Sequence, residues 1–112
     1  MKRKSYKTEK QRKAAEKELK DDTPIIVFFH KDGCPACISA RPAWESFSTS
    51  MAPSNYRIVD IEEQAVPLEV MEGITGFPTY AKDDEGGSHA VTGSITNPAD
   101  IPKKLRITGT RR

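Results

Sequence analysis

The sequence has few cysteines and no long hydrophobic run. It contains two cysteines in 112 residues, Cys34 and Cys37, and its longest uninterrupted apolar run is the five residues 25–29. A membrane-spanning helix needs about 20 apolar residues, and a secretory signal needs an apolar segment that the N-terminus lacks. We therefore expect a soluble cytoplasmic protein that does not bind membranes and folds as one domain over residues 1–112.

Basic residues are concentrated near the N-terminus. Residues 1–20 contain nine Lys or Arg and three Glu, whereas the rest of the chain contains nine basic and thirteen acidic residues. Residues 8–20 contain no Gly or Pro and are mostly strong helix formers, so we predict a basic helical arm over residues 1–18, frayed in its first part. Aromatic residues are not interleaved with these charges and no second basic patch follows. We therefore favour a solvated helix over a nucleic-acid-binding arm.

The two cysteines stand three positions apart in the sequence G-C-P-A-C. Residues 25–29, just before them, form a continuous apolar run that predicts a central strand covered on both faces. Pro35 suits the first turn of a helix, which we predict over residues 35–51. Cys34 and Cys37 would then lie where a strand's carboxyl end meets a helix start, which is where α/β sheets build their sites.

The pattern along the chain predicts an α/β fold with a four-stranded mixed sheet flanked by helices. The strands are predicted at residues 25–29, 56–61, 76–81 and 88–92, and the helices at residues 8–20, 35–51, 62–72 and 98–107. A whole helix separates the first two strands, so we expect them to be parallel. The acidic, glycine-containing segment 83–87 predicts a hairpin that makes the last two strands antiparallel.

The position of each cysteine predicts its role. A thiolate attacks disulfides, and a thiol does not. Cys34 would occupy the helix N-cap, where unpaired backbone N–H groups and the helix dipole favour an anion, so we predict that it is the nucleophile. Cys37, one turn inside the helix, would be the resolving thiol that breaks the mixed disulfide. His30 and Lys31, just ahead of Cys34, could lower its pKa or could simply be exposed turn residues.

Two other interpretations of the cysteine pair remain open. The first is binding of zinc or an iron–sulfur cluster, but a closed zinc site needs four ligands. The sequence offers His30 and His89 as nitrogen ligands and no second cysteine pair. The second is a protein-binding module in which redox chemistry is incidental. A close cysteine pair in a reducing compartment is more often catalytic or metal-binding than structural. Because the sequence lacks a full set of metal ligands, we expect a dithiol enzyme without metal or cofactor.

Further motifs carry a resemblance to a known superfamily. Pro42 lies eight residues after Cys34, a Gly-Phe-Pro-Thr segment at 76–79 opens the third predicted strand, and Gly93 follows the fourth. Together with C-x-x-C, these features resemble the thioredoxin-like superfamily over about residues 19–107. The resemblance implies a thiol–disulfide oxidoreductase that is a monomer, acts on protein disulfides and receives electrons from a dithiol reductase or glutathione.

The resemblance also implies roles for individual residues. Pro78 would be a cis-proline lying against the cysteine pair, and Phe77 and Thr79 would offer backbone groups to an extended substrate peptide. The residues that would support the site are Gly33, Pro35 and Gly93.

The sequence also departs from thioredoxins proper. Gly33 stands where thioredoxins have tryptophan, and Phe28 stands where they have a buried carboxylate. Proline after the first cysteine is closer to glutaredoxins or DsbA-like oxidases, whereas the segment 74–79 is closer to thioredoxins. Unlike glutaredoxins, the chain has no predicted strand before its first helix. The sequence thus leaves open whether the protein reduces, oxidises or isomerises disulfides.

Overall fold

The computed structural model describes residues 3–107, which form a five-stranded mixed sheet flanked by helices. The strands are β1 (Arg3–Tyr6), β2 (Ile25–His30), β3 (Arg57–Glu62), β4 (Thr79–Asp84) and β5 (Gly87–Thr92). Their spatial order is β1-β3-β2-β4-β5. β1 and β2 run parallel to β3, whereas β4 is antiparallel to β2 and to β5. The predicted fold class is confirmed, with five strands in place of four.

The helices lie at the predicted places, but all four α-helices are shorter than predicted. They are α1 (Arg12–Lys20), α2 (Pro35–Ser46), α3 (Leu68–Met71) and α4 (Asp100–Lys104). A 3₁₀ turn at Glu9–Gln11 precedes α1, and a π-helical turn at Phe47–Met51 extends α2. Pro67 interrupts the helix predicted over residues 62–72, because a proline cannot donate the backbone bond that would continue it. Within residues 3–107, no helix is long and apolar enough to span a bilayer.

Strand β2 is central, and all six of its residues are buried. Its alternate side chains enter two separate cores, as the pleat of a strand requires. On one face Phe28 stacks on Trp44 of α2 at a ring-centroid distance of 5.0 Å. On the other face Val27 and Phe29 pack with Ala15 of α1. The continuous apolar run therefore indicated a strand between two helical layers, as predicted.

Strand β1 corrects two predictions: that the arm over residues 1–18 is helical, which is wrong at residues 3–6, and that no strand precedes the first helix. Residues 1–2 of the predicted arm lie outside the described residues. Arg3 donates hydrogen bonds to Glu45 at 2.6 and 2.9 Å and to Asp60 at 3.2 Å. The Ser5 hydroxyl donates to Asp60 at 3.0 Å. These polar partners hold β1 against β3. Because β1 has little apolar surface, strand propensity alone does not predict this pairing. The helix predicted from residue 8 onward is confirmed in α1.

Candidate active site

The turn between β2 and α2 places Cys34 at a helix N-cap. Gly33 has φ +78°, a conformation that glycine adopts without steric cost. The Cys34 amide then donates to the Lys31 carbonyl at 3.2 Å, and Pro35 takes the first helical position. The Cys34 Sγ atom accepts a hydrogen bond from the Cys37 backbone N–H at 3.2 Å. Cys34 therefore satisfies one of the free N–H groups that every helix start leaves.

This geometry makes Cys34 the more acidic of the two thiols. The largest cause is the Cys37 thiol, which donates a hydrogen bond to the Cys34 sulfur and lowers its pKa. Burial acts in the opposite direction, but the backbone N–H groups of Cys37 and Ala36 and the charge of Lys31 all lower the pKa further. The net pKa of Cys34 lies below its ordinary value, as a nucleophile requires.

The Cys37 thiol is buried, and its pKa is raised. Its side chain lies on the inner face of α2, and the residue is 2% exposed. Burial, and then the hydrogen bond that its thiol gives to Cys34, raises the pKa of Cys37 to about 11. Both cysteines are free thiols in this structure. The pair thus consists of one partly exposed, acidified thiol and one buried, protonated thiol.

The loop before β4 forms the other side of the site. The Phe77–Pro78 peptide bond is cis, and the Phe77 carbonyl oxygen lies 3.7 Å from the Cys34 Sγ atom. The Pro78 carbonyl accepts from the Gly93 amide at 2.9 Å, and the Thr79 hydroxyl donates to the Gly76 carbonyl at 2.6 Å. The structure thus brings the Phe77–Thr79 segment, far away in sequence, against the cysteine pair.

The loop after β5 also reaches the site through Ser94 and Ile95, two residues that the sequence analysis did not single out. The Ser94 hydroxyl donates to the Ala36 carbonyl in the first turn of α2 at 2.7 Å. The neighbouring Ile95 amide donates to the Tyr80 hydroxyl at 3.2 Å. The only sequence signal for Tyr80 was its place two residues after Pro78, where alternation in a strand directs its side chain into the core.

No protein-family model matches the sequence. The chain is 32% identical to a glutaredoxin of Haemophilus influenzae over 54 residues, which are 48% of this chain and 62% of that protein. It is 28% identical to a glutaredoxin of Vibrio cholerae over 83 residues, covering 55% of this chain and 95% of that protein. The thioredoxin structure of Malassezia sympodialis matches with a TM-score of 0.68 and 17% identity, covering 94% of this chain and 89% of that one. The chain therefore has the thioredoxin-like fold, and its sequence is similar to glutaredoxins over about half of its length.

Phe28 stands at the position where the resemblance to thioredoxins implies a buried carboxylate. Phe28 is fully buried and contacts Trp44 and Tyr80 at ring-centroid distances of 5.0 and 5.2 Å. A phenyl ring cannot exchange protons with Cys37. Any group that assists ionisation of Cys37 must therefore come from elsewhere in the site.

The polar groups of this region form a network at the end of β2. His30 is buried, whereas one of the two sequence interpretations made it an exposed turn residue. Its Nδ1 atom lies 3.3 Å from Arg41, and its Nε2 atom lies 3.7 Å from an Asp60 oxygen. Burial opposes ionisation of Asp60, but its contacts with His30, Arg3 and Ser5 hold the pKa of that carboxyl below its ordinary value. Asp60 is thus an anion beneath α2.

An apolar side chain close to Cys34 is exposed: Ile38, one turn into α2, is 65% exposed. Phe77 across the site is half-buried. Among residues 3–107, no three His, Cys, Asp or Glu side chains come together in a group that could hold a metal ion.

Proposed function

We propose that this protein exchanges disulfides with other proteins through Cys34 and Cys37. The observation that carries the proposal is the position of the Cys34 sulfur, which accepts the Cys37 N–H at 3.2 Å on the helix start. This contact helps to hold the pKa of Cys34 low, while burial keeps Cys37 protonated. The first thiol is thus prepared to attack, and the second is protected until a mixed disulfide forms.

The reaction transfers two electrons in two steps. The Cys34 thiolate attacks one sulfur of a substrate disulfide, forming a Cys34–substrate bond and releasing the other substrate sulfur, which takes up a proton. Cys37 then loses its proton and attacks the Cys34 sulfur. A Cys34–Cys37 disulfide forms, and the second substrate sulfur leaves as a thiol. The protein is oxidised and the substrate reduced, and an upstream dithiol reductase or glutathione restores the two thiols.

The substrate would lie in the cleft between α2 and the Phe77–Pro78–Thr79 segment. The Phe77 carbonyl lies 3.7 Å from the Cys34 sulfur, and Ile38, four residues after Cys34, offers an exposed apolar side chain. Gly33 and Pro35 support the site by forming the helix start, and Gly93 supports it by holding the Pro78 carbonyl. We propose that the protein acts as a monomer in the cytoplasm.

Serine substitution of each cysteine tests this proposal. With insulin as the disulfide substrate, Cys37→Ser should accumulate a covalent complex that is visible on a non-reducing gel and disappears with dithiothreitol. Cys34→Ser should trap none, and the double serine variant is the matched control. If Cys34→Ser traps the substrate as well as Cys37→Ser does, the assigned roles are wrong. If neither variant traps and the double variant still binds a protein partner, a protein-binding module is the better interpretation.

A further inference from the structure

A groove of about 400 Å³ lies between α4 and β5, which is an edge strand of the sheet. β5 pairs with β4 on one side, and no strand within residues 3–107 pairs with its other side. The free main-chain N–H and C=O groups of such an edge can bind an extended peptide. β5 contains no Lys, Arg, Asp, Glu or Pro that would oppose such pairing.

The charged and titratable side chains that line the groove are all basic. Lys103 and Lys104 come from the last turn of α4, Arg106 follows its end, and His89 lies in β5. The first three are exposed, and none of them forms an ion pair with a carboxylate of residues 3–107. The groove is thus positive, although residues 21–112 as a whole contain more acidic than basic residues.

Arg106 has a backbone conformation that favours glycine. Its φ is 61°, and the Ile107 amide donates to the Pro102 carbonyl at 3.0 Å, as at helix ends that close with a left-handed residue. An arginine at such a position is strained, because its Cβ crowds the backbone. Cations near the end of α4 also offset the helix dipole, but Lys103 and Lys104 already supply two. A third cation at this place is more readily explained by a ligand in the groove.

The groove begins at the candidate active site. Gly93 and Ser94 line it, and both also contact the site. The Gly93 amide donates to the Pro78 carbonyl at 2.9 Å, and the Ser94 hydroxyl donates to the Ala36 carbonyl in the first turn of α2 at 2.7 Å. A substrate chain whose sulfur reacts with Cys34 can therefore continue over this loop into the groove.

We infer that the groove between β5 and α4 binds an acidic, extended segment of the protein substrate, so that disulfides close to acidic residues are preferred. The inference rests on the proposed function. Carboxylates of the substrate would pair with Lys103, Lys104 and Arg106 while its main chain lies along β5. The groove adds no chemical step. Because opposite charges speed encounter, it raises the rate at which such a disulfide reaches Cys34.

Two peptides that differ only in charge test this preference. Each has one cysteine, linked as a mixed disulfide to thionitrobenzoate, and a tail of either glutamates or glutamines, placed before the cysteine in one set and after it in another. Attack by the Cys34 thiolate forms a Cys34–peptide disulfide and releases thionitrobenzoate, whose absorbance is followed by stopped flow. With the tail on one of the two sides, we expect the Glu peptide to react about tenfold faster than the Gln peptide at low salt. In about 1 M salt the difference should fall to within about twofold.

Replacing the three cations of the groove should remove this difference. In the triple variant Lys103→Gln, Lys104→Gln, Arg106→Gln, the Glu and Gln peptides should react at rates within about twofold of each other. A preference that persists undiminished in this variant would overturn the inference.

The matched control is the triple variant Lys10→Gln, Lys13→Gln, Lys17→Gln. These lysines are also exposed, but they lie at and before α1, and replacing them changes the net charge by the same amount. This variant should keep the preference for the Glu peptide. An equal loss in both triple variants would mean that net charge, and not the groove, sets the preference. If peptides of both kinds react at Cys34 at equal rates, the inference fails alone. If neither reacts faster with the unmodified protein than with Cys34→Ser, the proposed function itself fails.

A binding measurement on the unmodified chain needs neither a variant nor exchange. The reduced, ¹⁵N-labelled protein is titrated with the Glu peptide in which serine replaces the cysteine. We expect saturable shifts of the backbone amides of residues 89–95 and 103–106, and none with the Gln peptide. Shifts confined to α1, or no shifts in the groove, would contradict the inference.

Discussion

The Cys34 Sγ atom lies 3.2 Å from the Cys37 backbone nitrogen, so the second cysteine helps to activate the first through its main chain. The Cys37 thiol adds a second hydrogen bond to the same sulfur, at the cost of its own acidity. The two cysteines therefore differ in environment, because the Cys34 sulfur receives the donors and Cys37 provides both of them. Under the proposed function, this asymmetry assigns the attack on the substrate to Cys34. The spacing of three residues is what permits both contacts in the first turn of a helix.

The two hydrogen bonds from Cys37 can be separated by comparing Cys37→Ser with Cys37→Ala. Both variants keep the backbone N–H, but only serine keeps a side-chain donor. We expect the Cys34 pKa, measured by thiolate absorbance at 240 nm, to lie below its ordinary value in Cys37→Ser and to be higher in Cys37→Ala. Alkylation by iodoacetamide should follow the same order, since only the thiolate reacts. Equal values in the two variants would mean that the side-chain donor has no effect.

Removing the Arg3 side chain should destabilise the protein. Arg3 is partly buried and bonds both Glu45 and Asp60, and Asp60 is itself buried. Arg3→Ala leaves that carboxylate with fewer partners, which should cost about 1–3 kcal/mol of unfolding free energy. Lys4→Ala is the control on the same strand, because Lys4 is exposed and should contribute at most about 0.5 kcal/mol. Urea unfolding of the two variants measures both losses. Equal losses of unfolding free energy in Arg3→Ala and Lys4→Ala would contradict this role for Arg3.

Replacing Gly93 should destabilise the protein more than replacing Gly73. It has φ +113°, a conformation that side chains rarely adopt, and its amide holds the Pro78 carbonyl. Gly93→Ala should therefore lower the unfolding free energy by about 1–3 kcal/mol. Gly73→Ala is the comparison, since Gly73 has no positive φ and a Cβ there meets only a carbonyl oxygen at 3.6 Å. Thermal unfolding of both variants tests the difference, and similar melting temperatures would refute it.

The sequence predicted the parts of the fold that depend on local pattern. The apolar run 25–29 indicated a central strand because such a run needs cover on both faces, and β2 is buried throughout. Pro35 indicated the start of α2. Proline has no backbone N–H group, and in the first turn of a helix that group would have no partner within the helix. The N-cap position of Cys34 followed from these two features.

The sequence could not show contacts that depend on sheet order and register. β1 forms because Arg3 and Ser5 meet Asp60, more than 50 positions away, and its own residues carry little strand signal. Tyr80 reaches the α2 side of the core because β4 pairs with β2, with Tyr80 opposite Phe28.

An equilibrium redox titration is the most direct test of the central claim. The purified protein is equilibrated in dithiothreitol or glutathione buffers of known potential, and its free thiols are then alkylated and counted by mass. Disulfide exchange through this pair predicts one reversible two-electron transition between a dithiol and a Cys34–Cys37 disulfide. A midpoint near about −270 mV would indicate a reductant of the thioredoxin type, and one between about −120 and −230 mV an oxidase, isomerase or glutaredoxin type. The absence of any reversible two-electron transition would contradict disulfide exchange as the function.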